Sequence, residues 1–413
     1  MRKMRQQSGV WRPILQTDTS FKPVKTAYTP SRRSNVPPFM VMDVMTAAAR
    51  LEQQGHRVIH MEVGQPAAPA PSTALAAARA AIEGGRLGYT ESLGVPSLRR
   101  RIARHYEEAY GLSVDPATVI VTTGSSAAFT LAFLAVLDPA DRVALAAPAY
   151  PPYRHILAAL GCEPVLIWPD AESRFALTPE ALLDAHRAKP LRAMLIASPA
   201  NPTGTMMTAE ALSDLVAAAE SAGIAVISDE IYHGLDYAFP ATTALSVSER
   251  AIVINSFSKY FCMTGWRVGW MIAPETLVRP IERLHQNLAI SVPTLSQIAA
   301  EAAFDGRSET EAVKHGYEVN RRILMQGLPK SGLDQFLPVD GAFYLYADVS
   351  AFTDDSFEFA RRLLDEAHVA ATPGIDFDPA GGNHFLRFCY AGAQDDIAEA
   401  VARIGDWLAR GKG

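Results

Sequence analysis

Apolar residues along this chain fall into two rhythms. Between about residues 118 and 272, short continuous apolar runs recur at 118–123 (TVIVTT), 142–147 (RVALAA), 164–168 (PVLIW), 192–198 (RAMLIAS), 224–229 (IAVISD), 251–256 (AIVINS) and 267–272 (RVGWMI). Runs of this length without polar alternation mark strands buried on both faces. Helical stretches such as 125–137, 178–187 and 208–222 separate several of them. Strands alternating with helices predict an α/β fold around one mostly parallel, seven-stranded sheet. No period of 20–50 residues repeats, which argues against a solenoid.

On either side of that block the spacing is helical. Residues 40–55 predict a helix stopping at Gly55, and 97–110 an amphipathic helix between Pro96 and Gly111. Past residue 300 the pattern changes to a long polar helix over 308–328, then strands at 341–349 and 384–391 around a helix at 356–367. An amphipathic helix at 394–409 closes the chain. This predicts a smaller α+β domain completed by the segment before residue 60. The expected division is a basic tail over 1–33, a large domain over 64–300, and a small domain from 34–63 with 301–413.

With 413 residues, 49% hydrophobic and 20% charged, the chain has the make-up of a soluble globular protein that can bury a core without cross-links. No run approaches the ~18 apolar residues of a membrane helix. Cys162, Cys262 and Cys389 lie far apart with no CxxC pair, which excludes a disulfide framework and the usual zinc spacings. A reducing, cytoplasmic setting is expected. The net charge of −6 is uneven, because residues 1–33 carry eight Lys or Arg and one acid, Asp18. The acidic remainder argues against nucleic acid as a partner. The basic head lacks the apolar core of a secretory signal. It reads as a solvated tail, although its Arg-rich, acid-poor character is also compatible with an organelle transit peptide.

The chemistry sits just after successive strands, where open α/β sheets bind ligands. No GxGxxG, GxxxxGK[ST] or GxSxG motif is present. In SFSKYFCMTGWR (256–267), Lys259 follows a buried strand. Burial lowers a lysine's pKa and frees its amine to attack an aldehyde. Ser256, Ser258 and Arg267 would supply donors to a nearby anion. In SDEIYHGLDY (228–237), Asp229 ends an apolar strand and would need a cationic partner to stay ionised, and Tyr232 follows it. In SPANPTGT (198–205), proline fixes the turn that presents Asn201. In TTGSSAA (122–128), a strand runs through Gly124, Ser125 and Ser126 into a helix whose free N–H groups suit a phosphate. Read singly, a snorkelling lysine, a capping aspartate, an Asn-Pro turn and a strand-to-helix glycine are the plainer explanations.

Together, in this order, the four motifs resemble the class I/II aminotransferases, pyridoxal-5′-phosphate enzymes of fold type I. The resemblance runs from about residue 33 to the C-terminus. It implies that Lys259 carries the cofactor and moves the substrate proton, that Asp229 pairs with the ring nitrogen, and that Asn201 and Tyr232 bind the ring oxygen. The phosphate would lie on Gly124, Ser125, Ser126, Ser256, Ser258 and Arg267. Tyr150, in PAYPPY, would stack on the ring. Arg387, in FLRFCYA, and Gly64, in VGQP, would receive the substrate α-carboxylate. An arginine inside an apolar strand independently calls for an anion. Tyr89, in LGYTESLG, would reach the phosphate of a neighbouring subunit, which implies a homodimer with shared active sites.

The implied reaction moves an amino group from an L-amino acid to a 2-oxo acid by a ping-pong exchange, the cofactor alternating between pyridoxal and pyridoxamine forms. A carbon–sulfur β-lyase would use the same Lys259 and Asp229. A DNA-binding regulator would need a helix-turn-helix that the first 34 residues lack. Gln65-Pro66-Ala67 departs from the Glu-Pro-Asp that often follows the family's glycine. For a distal carboxylate, Arg33, Arg104 and Lys314 are the candidate cations.

Overall fold

The computed structural model describes residues 28–170 and 172–410, so most of the basic head (1–27) lies outside the described residues. The seven apolar runs form one sheet. Its order is Val119–Thr122, Gly269–Ile272, Ile252–Ser256, Ala225–Asp229, Ala193–Ala197, Arg142–Ala146 and Glu163–Ile167. Every pairing is parallel except the two made by Gly269–Ile272.

Side-chain alternation sends neighbours in one strand to opposite faces. Val253 joins one core with Met194, Val226 and Trp270, while Ile252 and Ile254 join the other with Leu195, Ile227 and Met271. The first core is roofed by helices Pro96–Tyr110, Ala209–Ser221 and Thr294–Ala303, the second by Gly124–Val136, Pro151–Leu160 and Glu275–Leu288. Thr178 and Thr208 start their helices by accepting the amides of Ala181 and Ala211, at 3.3 and 3.2 Å. Each thereby satisfies an N–H with no partner inside the helix.

A third core joins Ile59 and Met61 to strands Tyr344–Asp348 and Phe385–Cys389 and to helices Arg307–Gly327, Ser356–Ala367 and Gln394–Arg410. It also takes Ile231, Tyr232 and Leu235 from the loop after Asp229. Thr372–Pro373, Phe385–Cys389 and Tyr344–Asp348 form an antiparallel sheet, and Ile59–His60 pairs in parallel with Val369–Ala370. These two-residue strands are too short to show a period in sequence.

Two strand ends differ from the sequence reading for stated reasons. The last strand of the large sheet begins at Gly269, because Arg267 turns through a left-handed φ of 52° before it. The 341–349 run shortens to Tyr344–Asp348 because Ala342 adopts φ 58°. The helices Ser72–Glu83, Pro151–Leu160, Glu275–Leu288 and Thr294–Ala303 have no counterpart in the sequence reading; the first is alanine-rich with little contrast and the second opens on two prolines.

Ile254 is fully buried in the middle of the sheet. Ile254→Ala is expected to lower unfolding free energy by about 2–5 kcal/mol, read by urea titration, with helix and strand content unchanged.

Candidate active site

The parallel strands end on one edge, with Asp229 level with Ala197 and Ile254. That edge opens into a cavity of about 870 Å³, counted to its solvent mouth. Lys259, Asp229, Asn201, Tyr232, Tyr150 and Arg387 all line it, although 237 positions separate Tyr150 from Arg387. Gly64, Ser125, Ser126, Ser258 and Arg267 line it too.

Lys259 leaves the strand Ile252–Ser256, and its Nζ donates to the Gly64 carbonyl at 2.5 Å. Burial pushes its pKa down to about 8, with Arg387 and Arg267 adding to the push. Asp229 is 4% exposed. Its carboxylate accepts the Tyr153 hydroxyl and, at 3.1 Å, the Ile231 amide. Burial still raises its pKa to about 7, so these two donors do not replace a cation.

Gly124, Ser125 and Ser126 form the first turn of Gly124–Val136, whose early N–H groups have no partner inside the helix. A Cβ on Gly124 would stand 2.5 Å from an Arg267 guanidinium nitrogen, and its φ is +76°. Only glycine lets the arginine lie across that turn. Gly124 and Ser256 sit just behind the lining. Ser256 Oγ lies 2.9 Å from Ser258 Oγ and accepts the Ser258 amide at 3.1 Å. Helix N-terminus, hydroxyls and guanidinium converge there as an anion cradle.

Arg387 is 2% exposed and lies between the rings of Tyr344 and Phe377, at 4.4 and 4.7 Å from the centroids. It donates to Asn201 Oδ1 at 2.8 Å, to Thr372 Oγ1 at 3.2 Å and to the Glu62 carbonyl. Its Nε has no hydrogen-bond partner, and among the described residues no carboxylate forms an ion pair with it. A buried charge held only by neutral acceptors leaves an anion to be supplied.

Asn201 thus meets the arginine, and Tyr232 meets Tyr344 hydroxyl to hydroxyl at 2.6 Å. Tyr150 caps the helix Pro151–Leu160 and packs edge-on against Tyr153 and Phe39. Tyr89 is 84% exposed and outside the cavity. Arg33, Arg104 and Lys314 do not line it; Arg104 pairs with Glu108 and Lys314 with Asp236.

Sequence reasoning missed Tyr153, Tyr344, Thr372 and the mouth residues Phe39, Val41 and Met42. Tyr153 stands in the same PAYPPY run as Tyr150, and an aromatic beside a site motif was the available signal. Tyr344 had none, because it opens the strand Tyr344–Asp348 inside a run of apolar residues.

The donor set fits pyridoxal 5′-phosphate: an amine of lowered pKa, an uncompensated carboxylate for the ring nitrogen, and an anion cradle built around a glycine that tolerates no side chain. A seven-stranded sheet with this edge is that of the fold type I pyridoxal-phosphate transferases, as the solved relatives bear out.

The sequence pattern of the class I and II aminotransferases matches residues 56–404, and the chain belongs to that family. It is 48% identical to a valine–pyruvate aminotransferase of Mycobacterium tuberculosis over 91% of this chain and 97% of the relative. It is 35% identical to a (5-formylfuran-3-yl)methyl phosphate transaminase of Methanocaldococcus jannaschii over 91% and 98%. A crystal structure of a Mycobacterium tuberculosis aminotransferase superposes with a TM-score of 0.90 at 46% identity, covering 93% of this chain and all of that one. An aspartate aminotransferase from Thermus thermophilus with maleate gives 0.86 at 30%, covering 92% and 99%. The chain is an aminotransferase, an enzyme that moves an amino group between amino and 2-oxo acids; the β-lyase alternative is not favoured. The family is generally pyridoxal-phosphate-dependent. Among the described residues no helix is long and apolar enough to cross a membrane, and no cluster of His, Cys, Asp or Glu could hold a metal.

A raised native pKa at Asp229 means that the folded state holds its proton longer than the unfolded one, so stability falls as pH rises from about 4 to about 7. Without cofactor, Asp229→Asn is therefore expected to gain stability relative to wild type across that window. Parallel urea midpoints for the two proteins would disprove it.

Proposed function

We propose that this enzyme uses pyridoxal 5′-phosphate held by Lys259, with the phosphate on Gly124, Ser125, Ser126, Ser256, Ser258 and Arg267. Half-buried Lys259 and buried Asp229, facing one cavity from the ends of adjacent strands, carry this reading. When bound, the cofactor supplies an aldehyde carbon and an electron-withdrawing ring. Asp229 holds the ring nitrogen's proton from its carboxylate. Asn201 and Tyr232 face the ring oxygen, and Tyr150 covers the ring.

Arg387, with the Gly64 backbone beside it, fixes the α-carboxylate of either substrate, so the Cα–H bond meets Lys259 Nζ. That amine takes the Cα proton and returns it, which its lowered pKa permits near neutral pH. The amino group would arrive on the donor, which departs as a 2-oxo acid, and would depart on the acceptor, which arrives as a 2-oxo acid. Phe39, Val41, Met42 and Ile231 give the cavity apolar walls, and its lining cations are those already assigned to phosphate, carboxylate and amine. These features support an aliphatic amino donor, in keeping with the name of the valine–pyruvate relative.

Leu87 and Tyr89 are exposed on one loop, and Leu288 and Ile290 at and just past the end of the helix Glu275–Leu288, with the Thr294 hydroxyl donating to the Gly88 carbonyl. An apolar patch of this kind supports a homodimer in which Tyr89 reaches the partner's phosphate. The core partition supports a large cofactor-binding domain over 64–300 and a small one from 34–63 with 301–413. Three buried free cysteines support a cytoplasmic setting.

The test is a spectrum of the cofactor-loaded protein against a panel of amino donors. Its visible band should bleach with valine-like donors alone and return on adding pyruvate. Steady ammonia release without any 2-oxo acid would overturn transamination. Lys259→Ala should abolish turnover. Arg387→Ala should raise KM for donor and acceptor alike by roughly 10–100-fold, seen in steady-state kinetics.

A further inference from the structure

Behind Arg387 stands a charged pair that amino-group transfer does not use. Glu62 is fully buried, immediately before the Val63–Gly64 turn of the cavity. Its backbone carbonyl accepts Arg387 Nη2 and, at 2.9 Å, the Thr372 hydroxyl. Its side chain turns the other way. Oε1 lies 2.8 Å from His60 Nδ1, and Oε2 has no hydrogen-bond partner. The second His60 nitrogen lies 3.1 Å from Glu52, on the helix Met40–Gln53 that carries Val41 and Met42 at the cavity mouth.

Both imidazole nitrogens face carboxylate oxygens, so only the doubly protonated ring donates to both. The other ionic groups near this strand satisfy one another. Arg57 pairs with Asp396 and Glu399 on the closing helix, and Arg403 pairs with Glu399 and donates to the Arg57 carbonyl at 2.9 Å. The facing strand Val369–Ala370 carries no charge, and His368 before it stacks on His56. His60 is thus the cation that compensates the buried Glu62.

We propose that His60 and Glu62 are positioning residues for substrate binding: the imidazolium anchors the Glu62 side chain, and that anchor fixes the residue-62 carbonyl that orients the Arg387 guanidinium. The proposal rests on Arg387 as the α-carboxylate site. The backbone just before it makes the coupling stiff, since the Met61 amide donates to the Ala370 carbonyl and the Met61 carbonyl accepts the Cys389 amide, at 3.0 and 2.7 Å. Residue 62 is therefore pinned between two strands, and its side-chain anchor sets the remaining rotation. Deprotonating His60 would turn one ring lone pair onto a carboxylate and release the anchor. Its neighbours Glu62, the larger influence, and Glu52 hold its pKa up to about 9, so orientation would persist at neutral pH and fail in alkali.

The experiment measures calorimetric binding of 3-methylbutanoate to the cofactor-loaded enzyme. This ligand has the carboxylate but no amino group, so nothing on it titrates in alkali. For wild type, Kd should rise about tenfold between about pH 7 and about pH 10. His60→Gln and Glu62→Gln should bind about tenfold more weakly at neutral pH and lose the alkaline change attributable to His60. His60→Lys, which keeps a cation, should restore neutral-pH affinity and move the loss to higher pH. Lys259 is unaltered in all of them, so its titration cancels from the comparison. Equal Kd values and equal pH profiles for wild type and His60→Gln would overturn the positioning role. Failure of wild type to bind the carboxylate any better than Arg387→Ala would instead overturn the assignment of Arg387 beneath it.

Discussion

A guanidinium sealed between two aromatic rings, with no carboxylate ion-paired to it among the described residues, sets the terms for this cavity. Arg387 sits in the strand Phe385–Cys389 and is held by Asn201, Thr372 and the Glu62 carbonyl, all neutral acceptors. Desolvating such a charge is costly unless an anion completes it. The residues that hold it come from the large sheet's edge, the small sheet and the segment before Gly64. Fixing one side chain therefore ties three parts of the chain to one geometry.

The same electrostatic logic recurs around the cavity. Lys259, Arg267 and Arg387 all line it, while Asp229 is the lining carboxylate among the described residues. Burial, with Arg387 and Arg267 adding to it, depresses the amine of Lys259, and burial raises the acid of Asp229. Each shift leaves a group whose charge is completed by a ligand of opposite sign. On the proposed reading, phosphate, ring nitrogen and α-carboxylate would supply three such signs at three separated places. The glycines at 64 and 124 admit the close approach of Tyr344 and Arg267.

Much of this was legible in the chain before folding. Continuous apolar runs predicted all seven strands of the large sheet, because a strand buried on both faces has no polar positions to spare. Lys259, Asp229 and Asn201 were found because a polar residue at the end of such a run breaks a pattern, and Gly124 because a strand runs through it into a helix. Arg387 stood out for the same reason, as a charge inside an apolar strand. Tyr344 could not be found this way, since an aromatic in a strand is what burial alone would select. Yet its hydroxyl meets Tyr232, and its position excludes any side chain at residue 64.

By itself, then, the sequence determined the order of strands and helices and the kinds of chemical group at the strand ends, because both follow from interactions within a few residues. The tertiary structure alone decided which group faces which. Tyr153 against Asp229, Glu62 against Arg387 and Asp376 against the amides of Met40 and Val41 join segments 76 to 336 residues apart. Such pairings depend on how close-packed layers register with one another, and no local pattern of apolar and polar positions records that.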